Sequence, residues 1–175
     1  MGTYKVQLED GSWVPMSVLG LPSLEYAPIV VSKPSSTTMV TSAQEPDPHL
    51  FYTLTPGTWR IQAVIRAAGD AAADFKMGWA FTGVTSFISR ACFGPPVGTT
   101  DVSNTVVLMR TAGYGTQIGY GVQNTGTGSL ILEDILAVVT GSGVFQLVWG
   151  QVTTNAIATT LSNECRVYFQ KCIGP

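Results

Sequence analysis

The stretch Thr58-Trp-Arg-Ile-Gln-Ala-Val-Ile-Arg66 alternates without a break. Trp59, Ile61, Ala63 and Ile65 share one face, and Arg60, Gln62 and Arg66 share the other, the period-two pattern of a strand with one side in a core. The preceding Thr55-Pro-Gly57 is the turn that feeds it. Working outward, the same period returns in Phe75, Met77, Trp79 and Phe81, set against Asp74, Lys76, Gly78 and Ala80. That run predicts a second strand closing a meander with the first. Residues 104–110 form a β-branched run around Val106 and Val107, and residues 129–140 read as one bent strand with Glu133-Asp134 near a bulge or an edge. Phe145, Leu147 and Trp149 share a face in the next run, and Cys165, Val167 and Phe169 alternate with Arg166, Tyr168 and Gln170 in the last. The alanine-rich segment 66–74 is too short for a helix and is broken by Gly69, so it reads as a loop.

Near the start, Asp10-Gly11 lies between two short alternating runs in residues 4–14, the signature of a two-residue hairpin turn. From there to position 48, prolines at 15, 22, 28, 34, 46 and 48 remove ladder donors and predict an extended arm, ordered by lying on the domain or on a neighbouring subunit. The spacing of about eight strands predicts an all-β chain, an antiparallel jelly-roll-type β-sandwich with an extended N-terminal arm. The expected division is 1–48 for the hairpin and attachment arm and 49–175 for the sandwich domain.

Composition narrows the function classes. A chain of 175 residues can bury a core without staples, and only 11% of it is charged, while it holds 19 Gly, 13 Ser and 21 Thr. A free-standing helical protein does not have that make-up. The nine basic residues, from Lys5 to Lys171, are scattered and the net charge is −2, so no basic stripe is available to a row of phosphates and no direct nucleic-acid partner is expected. No apolar leader opens the chain and no run reaches the roughly 20 residues of a membrane span. The expectation is synthesis in a reducing cytoplasm with no membrane partner, in which Cys92, Cys165 and Cys172 stay free thiols. A mean hydropathy of +0.26 fits a molecule whose outer faces are partly covered by copies of itself.

Candidate chemistry is sparse. Glu45, Asp47 and His49 form the one cluster of metal-ligand types, and the flanking prolines keep it extended, but it reads as a solvated turn before the first strand. A single histidine in such a segment, with no Gly-x-Ser-x-Gly elbow, offers no nucleophile–base pair. Asp70, Asp74, Asp101, Glu133, Asp134 and Glu164 are available as a carboxylate pair for glycoside cleavage, yet the neighbours Glu133 and Asp134 point to opposite faces and the group reads as solvated loop ends. The segment 113–121 has glycines on alternate positions but lacks the order and the following helix of a phosphate loop. Trp13, Trp59, Trp79 and Trp149 fall mostly on inward faces and read as core. No catalytic, cofactor-binding or metal residue is assigned, and an enzyme is not expected.

The segment Thr55-Pro-Gly-Thr-Trp-Arg-Ile-Gln-Ala-Val-Ile-Arg66 with Ala71-Ala-Ala-Asp-Phe-Lys-Met-Gly-Trp-Ala-Phe-Thr-Gly83 resembles small virion proteins of tailed phages, especially those of actinobacterial hosts. Val148-Trp-Gly-Gln-Val-Thr-Thr-Asn-Ala-Ile-Ala-Thr-Thr160 is similar to the Gln-x-x-Ser/Thr-Asn-x-x-x-Thr-Thr closing pattern of that group, and Ser35-Ser-Thr-Thr38 is similar too. The likeness spans roughly residues 35–173. The last strand departs from the pattern, with Glu164-Cys-Arg-Val-Tyr-Phe-Gln170 in place of a more aliphatic run. The resemblance implies a jelly-roll-like bacteriophage structural protein, often a homotrimer, on the virion surface. It carries over no active-site residue. The expected role is a capsid decoration protein held on the major capsid protein lattice. The alternative is a minor tail or fibre protein, docked on tail-tip proteins, whose Tyr114, Tyr120, Asp101 and Asp70 bind a host-surface glycan.

Overall fold

The computed structural model describes residues 5–7, 13–15, 27–98, 108–123 and 128–172. Among these residues there are fourteen strands and no helix, hence no helix long and apolar enough to cross a membrane. In chain order they are β1 (Lys5–Gln7), β2 (Trp13–Pro15), β3 (Ile29–Ser32), β4 (Thr37–Met39), β5 (Glu45–Leu54), β6 (Gly57–Ala68) and β7 (Phe75–Phe81). They continue as β8 (Val84–Gly94), β9 (Leu108–Ala112), β10 (Ile118–Tyr120), β11 (Ser129–Gly141), β12 (Gly143–Gly150), β13 (Thr159–Leu161) and β14 (Arg166–Cys172). β1 and β2 pair with each other, Gln7 opposite Trp13, while the expected Asp10-Gly11 turn lies outside the described residues.

The rest is a β-sandwich of two antiparallel sheets. The larger runs β3-β14-β6-β11-β8-β9, with β13 and β4 extending it beside the end of β6, and the smaller runs β10-β7-β12-β5. Every strand of residues 58–66 alternation goes where its period sends it: Trp59, Ile61, Ala63, Ile65 and Ala67 are buried against the facing sheet. The opposing layer contributes Phe75, Met77, Trp79, Phe145, Leu147 and Trp149. Trp79 stacks on Phe145 with ring centroids 4.9 Å apart, and Phe145 meets the edge of Phe169 from the larger sheet. Burying each such side chain stabilises the fold by about 1.5–3 kcal/mol.

Several expectations give way to tertiary pairing. β6 and β7 do not form a meander, because β6 pairs with β11 and β14 while β7 pairs with β10 and β12. The chain crosses between layers instead, through a 69–74 loop that ends in Asp74 at φ 50°. Three further connections, β5 to β6, β7 to β8 and β11 to β12, also change sheet, each through one or two residues. At this corner a Cβ on Gly143 would run into the backbone of Gly83, so a side chain has no room there.

β11 is a central strand, with Glu133 inside the sandwich, and its irregularities fall later, between Val138/Val139 and Val139/Gly141. The run expected at 104–110 is a strand only at its end, as β9, and residues 104–107 lie outside the described residues. The domain boundary expected at 48/49 falls inside β5, and residues 29–48, read as arm, supply β3, β4 and the start of β5. Pro46 and Pro48 fit because β5 is an edge strand. Its register also breaks: Gln146 opposes Phe51 and Val148 opposes Pro46, so two steps along β12 match five along β5.

Candidate functional site

The bulge in β5 contains the metal-type cluster. Asp47 is fully buried and its Oδ1 accepts the backbone N–H groups of His49 and Leu50, each at 3.0 Å, which closes the bulge on itself. Its Oδ2 lies 2.5 Å from Lys33 Nζ, which follows β3, and Lys33 also donates to Thr37 Oγ1. Glu45 is exposed and His49 is half-buried. The carboxylate read as part of a solvated turn is therefore one half of a buried ion pair joining the two layers. Among the described residues no group of three His, Cys, Asp or Glu side chains is placed to hold a metal ion.

Glu133, read as a solvated loop end, is the centre of a second buried cluster. Its Oε2 accepts Trp79 Nε1 at 2.7 Å and Arg90 Nε at 2.9 Å, and its Oε1 accepts Arg90 Nη2 at 2.6 Å and the Tyr120 hydroxyl at 2.7 Å. The remaining Arg90 donors go to backbone carbonyls, Thr116 O at 2.6 Å among them. Both charged side chains have zero exposure. Burial opposes the charge on Arg90, but the Glu133 hydrogen bonds and charge outweigh it and raise its pKa. Burial, then the Glu133 charge, push the Tyr120 hydroxyl far up, so it stays a donor. Nothing reaches this carboxylate from solvent, and its lone pairs are taken. It can hold two sheets together, not turn over a substrate.

The other carboxylates are dispersed. Asp74 is buried, and its carboxylate accepts Gly98 N at 2.7 Å and Val122 N at 3.2 Å, pinning two loops. Burial raises its pKa against those two bonds. Asp70 accepts Ala72 N within its own turn, Asp134 pairs with Arg60 on the outer face of the larger sheet, and Glu164 pairs with Arg66. Of the four residues expected to bind a glycan, Tyr120 is buried and Asp101 lies outside the described residues. Asp70 precedes the start of β7, whereas the Tyr114 carbonyl lies beside Trp79 towards its other end. Among the described residues, Asp70, Tyr114 and Tyr120 are not brought together. Cys92 and Cys165 are buried thiols whose pKa values burial lifts to about 11, and Cys172 is half-buried.

The closing motif has a physical basis. Gln151 is fully buried; its Nε2 donates to Ile157 O at 2.8 Å and its Oε1 accepts Asn155 N at 2.7 Å. Asn155 Oδ1 in turn accepts Ile157 N, and Thr154 Oγ1 bonds to Ser42. The spacing of Gln, Thr and Asn is that of a loop braced by its own side chains. Sequence reading missed Arg90 and Lys33 as interior residues, because a charged side chain at a core position interrupts the apolar period that marks a strand.

The molecule's other distinctive surface is apolar. The outer face of the larger sheet exposes Leu130, Leu132, Leu136 and Met109, and it carries two shallow grooves of ≈ 730 Å³ beside Phe93 and Leu136 and ≈ 340 Å³ between Leu132 and Tyr168. A third cleft of ≈ 350 Å³, between Arg66, Gly128 and Thr160, is more polar. No protein-family model matches the chain, and no curated protein matches it.

Proposed function

We propose that the chain is a non-enzymatic structural protein of a bacteriophage virion, a jelly-roll-type module that decorates and stabilises the capsid surface as a homo-oligomer, with a trimer as the expected symmetry. The observation that carries this reading is how the molecule allocates its side chains. Its buried carboxylates at Asp47, Asp74 and Glu133 hold strands and loops together, while Met109, Leu130, Leu132 and Leu136 stand exposed together on the outer face of the larger sheet. That division suits a protein that works by contact area. The resemblance of residues 55–66, 71–83 and 148–160 to phage virion proteins supports the same role.

In this reading the segment before β3 is the attachment arm, and several arms per oligomer add avidity when the spacing of their sites matches the lattice. Assembly takes place in the host cytoplasm, on the major capsid protein lattice. The glycan-binding alternative is weakened by the burial of Tyr120.

The test is to mix the purified protein with phage particles that lack it and image them by cryo-electron microscopy. Oligomers standing at local three-fold points of the shell are the expected result. Bare heads with density on the tail would move the role to adsorption, and unbound particles would remove the virion reading altogether. Deleting residues 1–28 should lower shell occupancy; unchanged occupancy takes the arm out of the mechanism.

A further inference from the structure

We infer that copies of this chain meet through the outer face of the larger sheet, with the row Met109, Phe93, Leu132 and Val64 at the centre of the contact. The inference rests on the oligomeric part of the proposed function and assigns it a surface. Register sets this row: Met109 opposes Phe93, Phe93 opposes Leu132, and Leu132 opposes Val64, across β9, β8, β11 and β6. Leu130 and Leu136 lie two and four residues away on the same face of β11. Leu130 is 56% exposed, Leu132 43% and Leu136 40% on β11, a central strand paired on both sides, and Met109 is 74% exposed on the edge strand β9.

An antiparallel sheet with one face in a core ordinarily presents polar residues on the other. Here the outer face, besides Arg60, Gln62, Asp134 and Arg166, carries a cluster of exposed apolar side chains. The six-strand run is about 24 Å wide and the stretch from Leu130 to Leu136 about 20 Å long, which gives about 500 Å² in plan. The apolar part, over the four strands of the row, is about 300 Å², within the range of the largest apolar patch on a monomer. With its polar rim and side-chain relief added, the whole face approaches the roughly 800 Å² per partner of a stable interface.

The smaller sheet does not offer the same surface, because loops of the chain cover its outer side at β10 and the middle of β7. A Cβ on Gly119 of β10 would meet Val97 and Val152, and Gly78 of β7 lies under the Thr116 carbonyl. Charge favours a second copy over a charged partner. The charges in the middle of the face, Arg60 and Asp134, are paired within the chain at 2.6 Å and leave it locally neutral. A surface of this kind packs against neighbouring copies around a closed axis without burying an unpaired charge at its centre.

The experiment is sedimentation velocity on the full chain over a range of concentrations, for the unsubstituted protein, Leu132→Lys and Met109→Glu. Ile157→Lys serves as a control, in an exposed loop outside the rows. The unsubstituted protein should self-associate, both face variants should weaken association by more than about tenfold, and the control should not. Circular dichroism and thermal melting report whether each variant is folded, and Met109, the more exposed position, keeps the test intact should Leu132→Lys unfold. A monomeric unsubstituted chain, or folded face variants that associate as tightly as the control, overturns the assignment. Monomers that lose shell binding on Leu132→Lys would give the face to a shell protein and equally overturn it. Association lost in the face variants, with no shell binding by the unsubstituted protein, would leave this contact standing and remove the virion reading.

Discussion

Trp79 Nε1 donates to Glu133 Oε2 across 2.7 Å, and through that bond β7 of the smaller sheet is tied to β11 of the larger. The carboxylate also holds Arg90 by two nitrogens and Tyr120 by its hydroxyl, so the two layers are joined by a closed polar network inside an aromatic core.

Breaking this network from one side should be costly. Glu133→Leu leaves the Arg90 guanidinium buried without its counter-charge and is expected to lower the unfolding free energy by about 3–5 kcal/mol. Adding Arg90→Met to it should restore much of that loss, since both buried charges are then gone. Urea unfolding of the two single variants and the double variant measures the coupling, and strictly additive effects would refute a shared network.

The Lys33–Asp47 pair should show an asymmetry. Asp47→Ala removes the counter-charge and also strands the His49 and Leu50 backbone donors, whereas Lys33→Met removes the charge alone. Asp47→Ala is therefore expected to cost about 1–3 kcal/mol more than Lys33→Met. Equal losses in chemical denaturation would mean that Asp47 does not shape the bulge.

Gln151 makes a similar prediction for the closing motif. Gln151→Ala leaves Asn155 N and Ile157 O without their partner, at about 1–3 kcal/mol each at most. Hydrogen exchange should then rise locally in residues 151–158 before it rises in β6 or β11. A uniform rise would show that the loop and the sandwich open together.

Asp74 predicts the pH dependence. Its pKa is raised in the folded state above the 3.8 of a free carboxyl, so the folded protein holds this proton more tightly than the unfolded chain. The contribution is complete below pH 3.8 and is lost as pH rises through the folded value. The stability advantage of the unsubstituted protein over Asp74→Asn should shrink as pH climbs through that window. Urea denaturation at a series of pH values measures it, and an advantage that grows with pH contradicts the burial argument.

Thiol chemistry separates the cysteines. With pKa values lifted to about 11, Cys92 and Cys165 carry almost no thiolate at pH 8 and are enclosed, so a thiol reagent should modify Cys172 first in the native protein. All three should react in denaturant. Rapid labelling of Cys92 in the native state would mean that the sheets part far more readily than their packing implies.

What the sequence determined by itself is the class of structure and the inward faces of its long strands. The alternation at Trp59, Ile61, Ala63 and Ile65, at Phe75, Met77 and Trp79, and at Phe145, Leu147 and Trp149 decides burial locally, because a period of two puts every second side chain on one side whatever the strand pairs with. Tertiary structure alone decided which strands are neighbours, since pairing joins residues far apart in the chain and leaves no mark on local periodicity. It also decided that Arg90, Glu133, Lys33 and Asp47 lie inside, because a charge is admitted to a core only when a partner from another strand meets it there. The metal-type spacing of Glu45, Asp47 and His49 was legible, but its meaning was not, for Lys33 becomes the neighbour of Asp47 only when β3 and β5 come together.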